Sequence, residues 1–329
     1  MPHAHFRLTR LAATMFATFA VAMCNAQAQT FPSRTVRITT PYSTGIGPDI
    51  ASRLVAEKLG KMWNQSVIVE SRPGASGAIA VNAVKRATPD GHELLVLGNA
   101  HLAINPVLIK DWNFDLLADF APANLLYNAY WVIVVATNAP YKSVADLIDA
   151  AKVAPERVSY ATPYVGSPNH LGAAQLGFLT GTQLLGVHFK DTGPLMASVA
   201  NGDTTFSILT TGSSGPMVKA GKMRILAAID SKRLPTHPDV PTVRESGGPA
   251  NFSVPTWVTI VAPRATPANV VGRIGADIAR VLAEPDVIEK FRSFGLEPAT
   301  ATPAQIAEMV RSELAVNADL VKKAGIKAE

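Results

Sequence analysis

VRITT-PYSTGIGPDI-ASRLVAEKLG, residues 36–60, decides the fold. Val36–Thr40 is a β-branched run of the kind that favours strands. Asp49–Lys61 carries a helical pattern. The turn between them holds Gly45 and Gly47, which let the backbone bend tightly and let a ligand come close. Pro48 suits the start of a helix, and Asp49 complements the positive end of the helix dipole. Tyr42, Ser43 and Thr44 add hydroxyls at the mouth. Free N–H groups at such a helix start bind a carboxylate or a phosphate. The same turn also makes sense as a well-capped connection with no ligand.

Outward from this turn the pattern repeats. Ser66–Glu70 and Glu93–Gly98 read as strands, and Ala78–Ala87 reads as a helix. Trp131–Thr137 is a second strong β run, followed by a helix capped by Ser143. Strands in VSYAT, LLGVHF, TTFSILT and MRILAAID then alternate with helices from Pro168 and Pro194. Pro255–Pro263 is a further strand, and helices follow over 267–283, 285–294 and 303–324. Thr302, Pro303 and Gln305 form a capping-box arrangement for the last of these. Alternation of this kind predicts an α/β fold with βαβ units. Two such units of similar size predict a two-lobed molecule with an inter-lobe cleft, a favoured place for ligands. The C-terminal helices are expected to return to the first lobe.

The first 28 residues stand outside this pattern. Arg7 and Arg10 precede about a dozen apolar residues, and Ala26-Gln27-Ala28 supplies a cleavage signal. This predicts an export signal cut after Ala28, too short to be a membrane span. The formal charge of +5 then drops to +3, with no basic cluster to suggest nucleic acid. Cys24, the sole cysteine, leaves with the signal, so disulfides and thiolate chemistry are excluded from the mature chain.

Further candidates sit where strands end, the usual ligand edge of an open α/β sheet. Asn99 and His101 follow Glu93–Gly98. Thr162, Gly166, Ser167 and Asn169 surround the second glycine turn and helix start. His170, in the first turn of that helix, either donates to an anion or serves the cap, the commoner role for a lone histidine. Lys190 is equally readable as a ligand charge or as a solvated lysine. Ser207 and Thr210 lie in a hydroxyl-rich strand end, Phe206–Ser213.

Enzyme templates fail. There is no G-x-S-x-G elbow, and Pro168 after Ser167 has no N–H for an oxyanion hole. The phosphate-loop and dinucleotide fingerprints are missing, and the histidines lack metal spacing. No metal or cofactor is expected.

Ten stretches in order resemble the Bug-type receptors of tripartite tricarboxylate transporters. They are FPSRTVRI, PYSTGIGPDI, VESRPGASG, ATPDGHELL, HLAINP, DLLADFAP, GSPNHL, VKAGKMRILAA, HPDVPTV and KKAGIK. The resemblance covers Phe31–Glu329 and implies a periplasmic type II (venus-flytrap) binding protein, each lobe a mixed, mostly parallel sheet flanked by helices. Lobe one would be 29–128 plus 253–329, and lobe two 129–252. It implies a small carboxylate gripped by the loops at Tyr42–Asp49 and Thr162–His170. It also implies delivery to membrane permease subunits, or docking on a sensor kinase ectodomain. A monomer is expected. An exported hydrolase is the third class, disfavoured by the missing nucleophile arrangement.

The chain departs from the family pattern in two places. Ser43-Thr44-Gly45-Ile46 replaces a proline- and glycine-rich tetrad, which should loosen the loop. Ser207, Ile208 and Leu209 stand where the family often has an acid, so a ligand without an amine is expected.

Overall fold

The computed structural model describes residues 31–163, 167–189 and 191–323. The predicted export signal, Cys24, Gly166 and Lys190 lie outside these residues. Strand β1 (Val36–Thr40) has the predicted bounds, and helix α1 runs from Gly47 to Trp63. A left-handed Asn64 ends α1, its N–H bonded to the Gly60 carbonyl.

Two mixed sheets carry the chain. The first has the order β11-β4-β10-β3-β1-β2, with β2 at Val67–Ser71, β3 at Glu93–Gly98, β4 at Phe120–Ala129, β10 at Trp257–Pro263 and β11 at Leu296–Pro298. The second has the order β7-β6-β8-β5-β9, with β5 at Trp131–Ala136, β6 at Ser159–Thr162, β7 at Leu185–His188, β8 at Phe206–Thr210 and β9 at Met223–Ile229. Only Tyr130 separates β4 from β5, so one extended segment leaves the first sheet and enters the second. The chain returns through β10. Both crossing segments run against neighbours: β10 is antiparallel to β3 and β4, and β5 is antiparallel to β8 and β9. The βαβ pattern had suggested parallel pairing, and the resemblance a mixed, mostly parallel sheet in each lobe. A strand arriving from the other lobe need not obey it, because no crossover helix sets its direction.

Each sheet is buried on both faces. Leu94 and Val96 point to a layer with Leu59 and Trp63 of α1, Ile274 and Ile278 of the helix over 268–282, and Phe291 of the next helix. Leu95 and Leu97 point the other way, to Val81, Val84, Ile306 and Val310. The period-2 alternation thus splits one apolar run between two cores. In the second lobe, Ile133 and Val135 join one layer and Val132 and Val134 the other. The C-terminal helix, Pro303–Lys323, packs Ile306 and Val310 on the first lobe, as expected. Its far end crosses to the second lobe, where Leu320 and Val321 meet Leu171.

Besides several short helical turns, two strands and a helix escaped the sequence. Strand β4 reads poorly because FAPANLLYNA contains Pro122 and two asparagines, yet Pro122 sits beside a register shift where a missing N–H is tolerated. Strand β11 is only three residues long. The helix over Thr211–Lys219 contains glycines, serines and Pro216, all of which argue for a turn. It forms because Thr210 caps it, accepting the Ser213 N–H at 3.2 Å.

Candidate functional site

A cavity of about 970 Å³ lies between the lobes. Its first wall is the opening turn: Tyr42, Gly45, Ile46, Gly47, Pro48 and Ile50 all line it. The helix start here has no side-chain cap, so its N–H groups are left for something else. Asp49 organises the turn. It is buried (1% exposed), and its Oδ2 accepts the Gly45 N–H at 2.9 Å. Arg53 grips both carboxylate oxygens, at 2.9 and 3.0 Å. Asp49 therefore holds the loop and does not face a ligand. Ser43 and Thr44 are exposed and do not line the cavity. Ile46, which replaces a smaller residue of the family pattern, is accommodated at the rim, 46% exposed.

Behind this wall, the Tyr42 hydroxyl lies 3.4 Å from His101 Nδ1, and the rings meet edge-on at 5.2 Å. A Cβ on Gly98 would come within 2.3 Å of the Tyr42 oxygen, so glycine is required there. Burial lowers His101 to a pKa of about 4. It is a neutral support for Tyr42, and it does not line the cavity. Tyr127, also part of the lining, is held protonated by burial and by nearby Tyr42.

The second lobe contributes differently from expectation. Thr162 and Ser167 hydrogen-bond each other at 2.8 Å and are buried. Ser167 caps its helix by accepting the His170 N–H. The Asn169 amide donates to the Ile208 carbonyl, and the Ser207 hydroxyl donates to the Ala161 carbonyl. His170 packs against Tyr160 and His188, with its pKa lowered by burial and by His188. Among the described residues of that loop and its helix, only Pro168 lines the cavity. The larger contribution comes from Thr210, Thr211, Gly212, Ser213 and Gly215, at the start of the helix the sequence had hidden. Their signal was the hydroxyl-rich strand end at Phe206–Ser213.

The lining is electrically one-sided. It includes the cations Lys219 and Arg292, a His237 whose pKa is lowered by burial, and no Asp or Glu among the described residues. Arg292 is itself held by Glu297 at 2.7 and 3.0 Å. Asn99 lies on the floor, beside Thr256 and Trp257 at the start of the returning strand. An uncapped helix N-terminus, the dipole of a second helix and two cationic side chains around one cavity can hold a small anion. Among the described residues, no group of His, Cys, Asp and Glu could hold a metal, and no helix is long and apolar enough to cross a membrane.

Comparison with known proteins places this geometry. The family described as "Tripartite tricarboxylate transporter family receptor" matches residues 51–326. A UPF0065 protein of Bordetella bronchiseptica is 32% identical over 308 residues, 94% of this chain and 91% of the relative. An R. palustris protein solved with adipate is 30% identical, with a TM-score of 0.79 over 90% of this chain and 99% of its own. MatC of Rhodopseudomonas palustris, solved with bound malate, is 28% identical, with a TM-score of 0.75 over 88% of this chain and 100% of its own. The periplasmic binding protein BugD is similar at 28% identity, with a TM-score of 0.75 over 91% of this chain and 100% of its own.

Proposed function

Because the chain belongs to the tripartite tricarboxylate transporter receptor family, we propose that it captures a small, amine-free organic acid between its lobes and hands it to the membrane subunits of a transporter of that type. The observation that carries this is the cavity lining: two helix starts and two cationic side chains, Lys219 and Arg292, with no carboxylate among the described residues. A ligand carboxylate spanning the Gly45–Pro48 and Thr210–Ser213 turns would take the uncapped N–H groups of the first helix start and meet the hydroxyls of the second, whose Thr211 and Ser213 N–H groups are already bonded to Tyr130 and Thr210. That contact exists only when the lobes are closed, so the ligand favours closure. An ammonium group would meet positive charge and no counter-ion. The ligands of two similar structures, adipate and malate, are acids without an amine.

The remaining parts of the proposal follow from the same frame. Residues 1–28 direct export and are cut after Ala28, which puts the receptor in the periplasm. The lobes are 29–128 plus 253–329 and 129–252, a division supported by the crossing at Tyr130 and the return at β10. The acid is bound and released unchanged; among the described residues of the lining there is no serine–histidine or cysteine–histidine pair to activate a nucleophile.

Thermal unfolding of residues 29–329 against di- and tricarboxylates, aromatic acids and acidic amino acids tests the proposal. Ligand at about 100 times its dissociation constant adds ~2.7 kcal/mol. This raises Tm by several degrees in a chain of this size. The expected hits are amine-free acids. No shift with any carboxylate withdraws the proposal, and hits confined to acidic amino acids reverse its amine-free part.

A further inference from the structure

We propose that Asn99, set by Glu313, reads a hydrogen-bond donor on the ligand, so that the receptor prefers hydroxylated acids to their unsubstituted parents. This rests on the carboxylate reading above and adds to it. Asn99 closes the floor of the cavity at the end of β3 and is 3% exposed. Its amide nitrogen donates to the Pro255 carbonyl at 2.9 Å and to Glu313 Oε2 at 2.9 Å. Both partners are acceptors. Turning the amide over would aim its oxygen at two other oxygens, so its orientation is settled by the network.

Glu313 is well placed to hold that orientation. It lies on the C-terminal helix, and its Oε1 accepts the Trp257 indole N–H at 2.5 Å. Trp257 is fully buried and begins the returning strand. Burial raises the pKa of Glu313, and the two N–H donors act against that rise. Glu313 does not line the main cavity; it lines the adjoining side compartment together with Asn99.

The amide oxygen of Asn99 is left over. Among the described residues it takes no hydrogen bond, and it is not sealed from solvent. Asn99 and Pro168 are shared by the main cavity and a side compartment of about 260 Å³, both inter-lobe. The oxygen therefore opens onto ligand space as an acceptor. Once the lobes close, an acceptor there needs a donor, and an acid lacking one leaves it unpaired. A hydroxyl supplies one proton to one neutral acceptor. An ammonium would bring charge into a main-cavity lining that holds Lys219 and Arg292.

Calorimetry at pH 7.5 with succinate, glutarate and adipate, each beside its 2-hydroxy and 2-amino counterpart, tests this. At the chain length that binds best, the hydroxy acid is expected to bind about fivefold tighter than its parent, and the amino acid weakest. In Asn99→Leu the hydroxy-to-parent ratio should fall to about one. In Glu313→Gln it should fall in part, because one amide oxygen cannot accept from both Trp257 and Asn99 and the hold on Asn99 weakens, although residue 313 lies outside the main cavity. A ratio near one in the unaltered protein, or an undiminished ratio in Asn99→Leu, overturns the inference. An undiminished ratio in Glu313→Gln overturns the positioning role. The ratio in the unaltered protein decides the preference even if a variant does not fold. Binding of none of these acids overturns the carboxylate reading and this inference together, whereas binding without preference overturns this inference alone.

Discussion

Asp49 has the strongest claim to importance that is not a claim to ligand contact. An acid beside a proposed anion site looks misplaced until its partners are counted. Arg53 takes both of its oxygens, and the Gly45 N–H binds one of them. The negative charge is thus matched locally, and its role is to hold a loop that has lost the rigidity of prolines. Asp49→Ala should cost roughly 1–2 kcal/mol of stability, the order of a lost cap with its hydrogen bonds. Carboxylate affinity should fall by about tenfold as the Gly45–Pro48 turn loosens. Denaturant titration and calorimetry measure the two effects. Tighter binding in the variant would show that charge repulsion outweighs loop order. The same distinction separates the other sequence candidates. Thr162 ends a strand, Ser207 lies within one and Asn169 begins a helix, and all three spend their hydrogen bonds inside the lobe. Sequence marks where polar groups occur, but not which way a strand or helix turns them.

The helix over Thr211–Lys219 shows how much an element can hide. Its composition reads as a turn, yet its first residues both line the cavity and touch the opposite lobe. A Cβ on Gly212 would lie 1.8 Å from the Phe294 carbonyl oxygen, and one on Gly295 would lie 2.2 Å from the Gly212 nitrogen. Phe294 and Gly295 join the helix over 285–293 to β11, in the first lobe. Two glycines from different lobes thus meet beside the Tyr130 crossing, whose carbonyl accepts the Thr211 N–H. Gly212→Ala should wedge the lobes apart there. The expected result is an unchanged circular dichroism spectrum with about tenfold or greater loss of ligand affinity. Small-angle scattering at saturating ligand should give a larger radius. Gly193→Ala, where an added Cβ meets nothing within 4 Å, is the control. Equal behaviour of the two variants would remove the contact from the closing mechanism.

At the scale of the molecule, stability should depend on pH through buried histidines. His101 has a folded pKa of about 4 against an ordinary 6.5, because burial disfavours its charge. The unfolded chain therefore binds the extra proton first as pH falls. The stabilisation is complete above about pH 6.5 and is lost as pH drops toward 4. His170 is shifted in the same direction, by burial and by His188. Thermal melts from pH 7.5 to 4 should show a falling Tm, and His101→Gln should fall less over that window; an equal fall would clear His101 of the effect. The sequence by itself determined the α/β class, the division into two units, most strand and helix positions and the family, because periodicity, caps and glycine turns are local. Tertiary structure decided the antiparallel crossing strands, the second helix start in the cavity and the orientation of Asn99. Each of these depends on groups far apart in the chain: β10 against β3, Gly212 against Gly295, and Glu313 against Asn99. Local patterns carry no information about which distant backbone or side chain will arrive, so only the folded chain settles them.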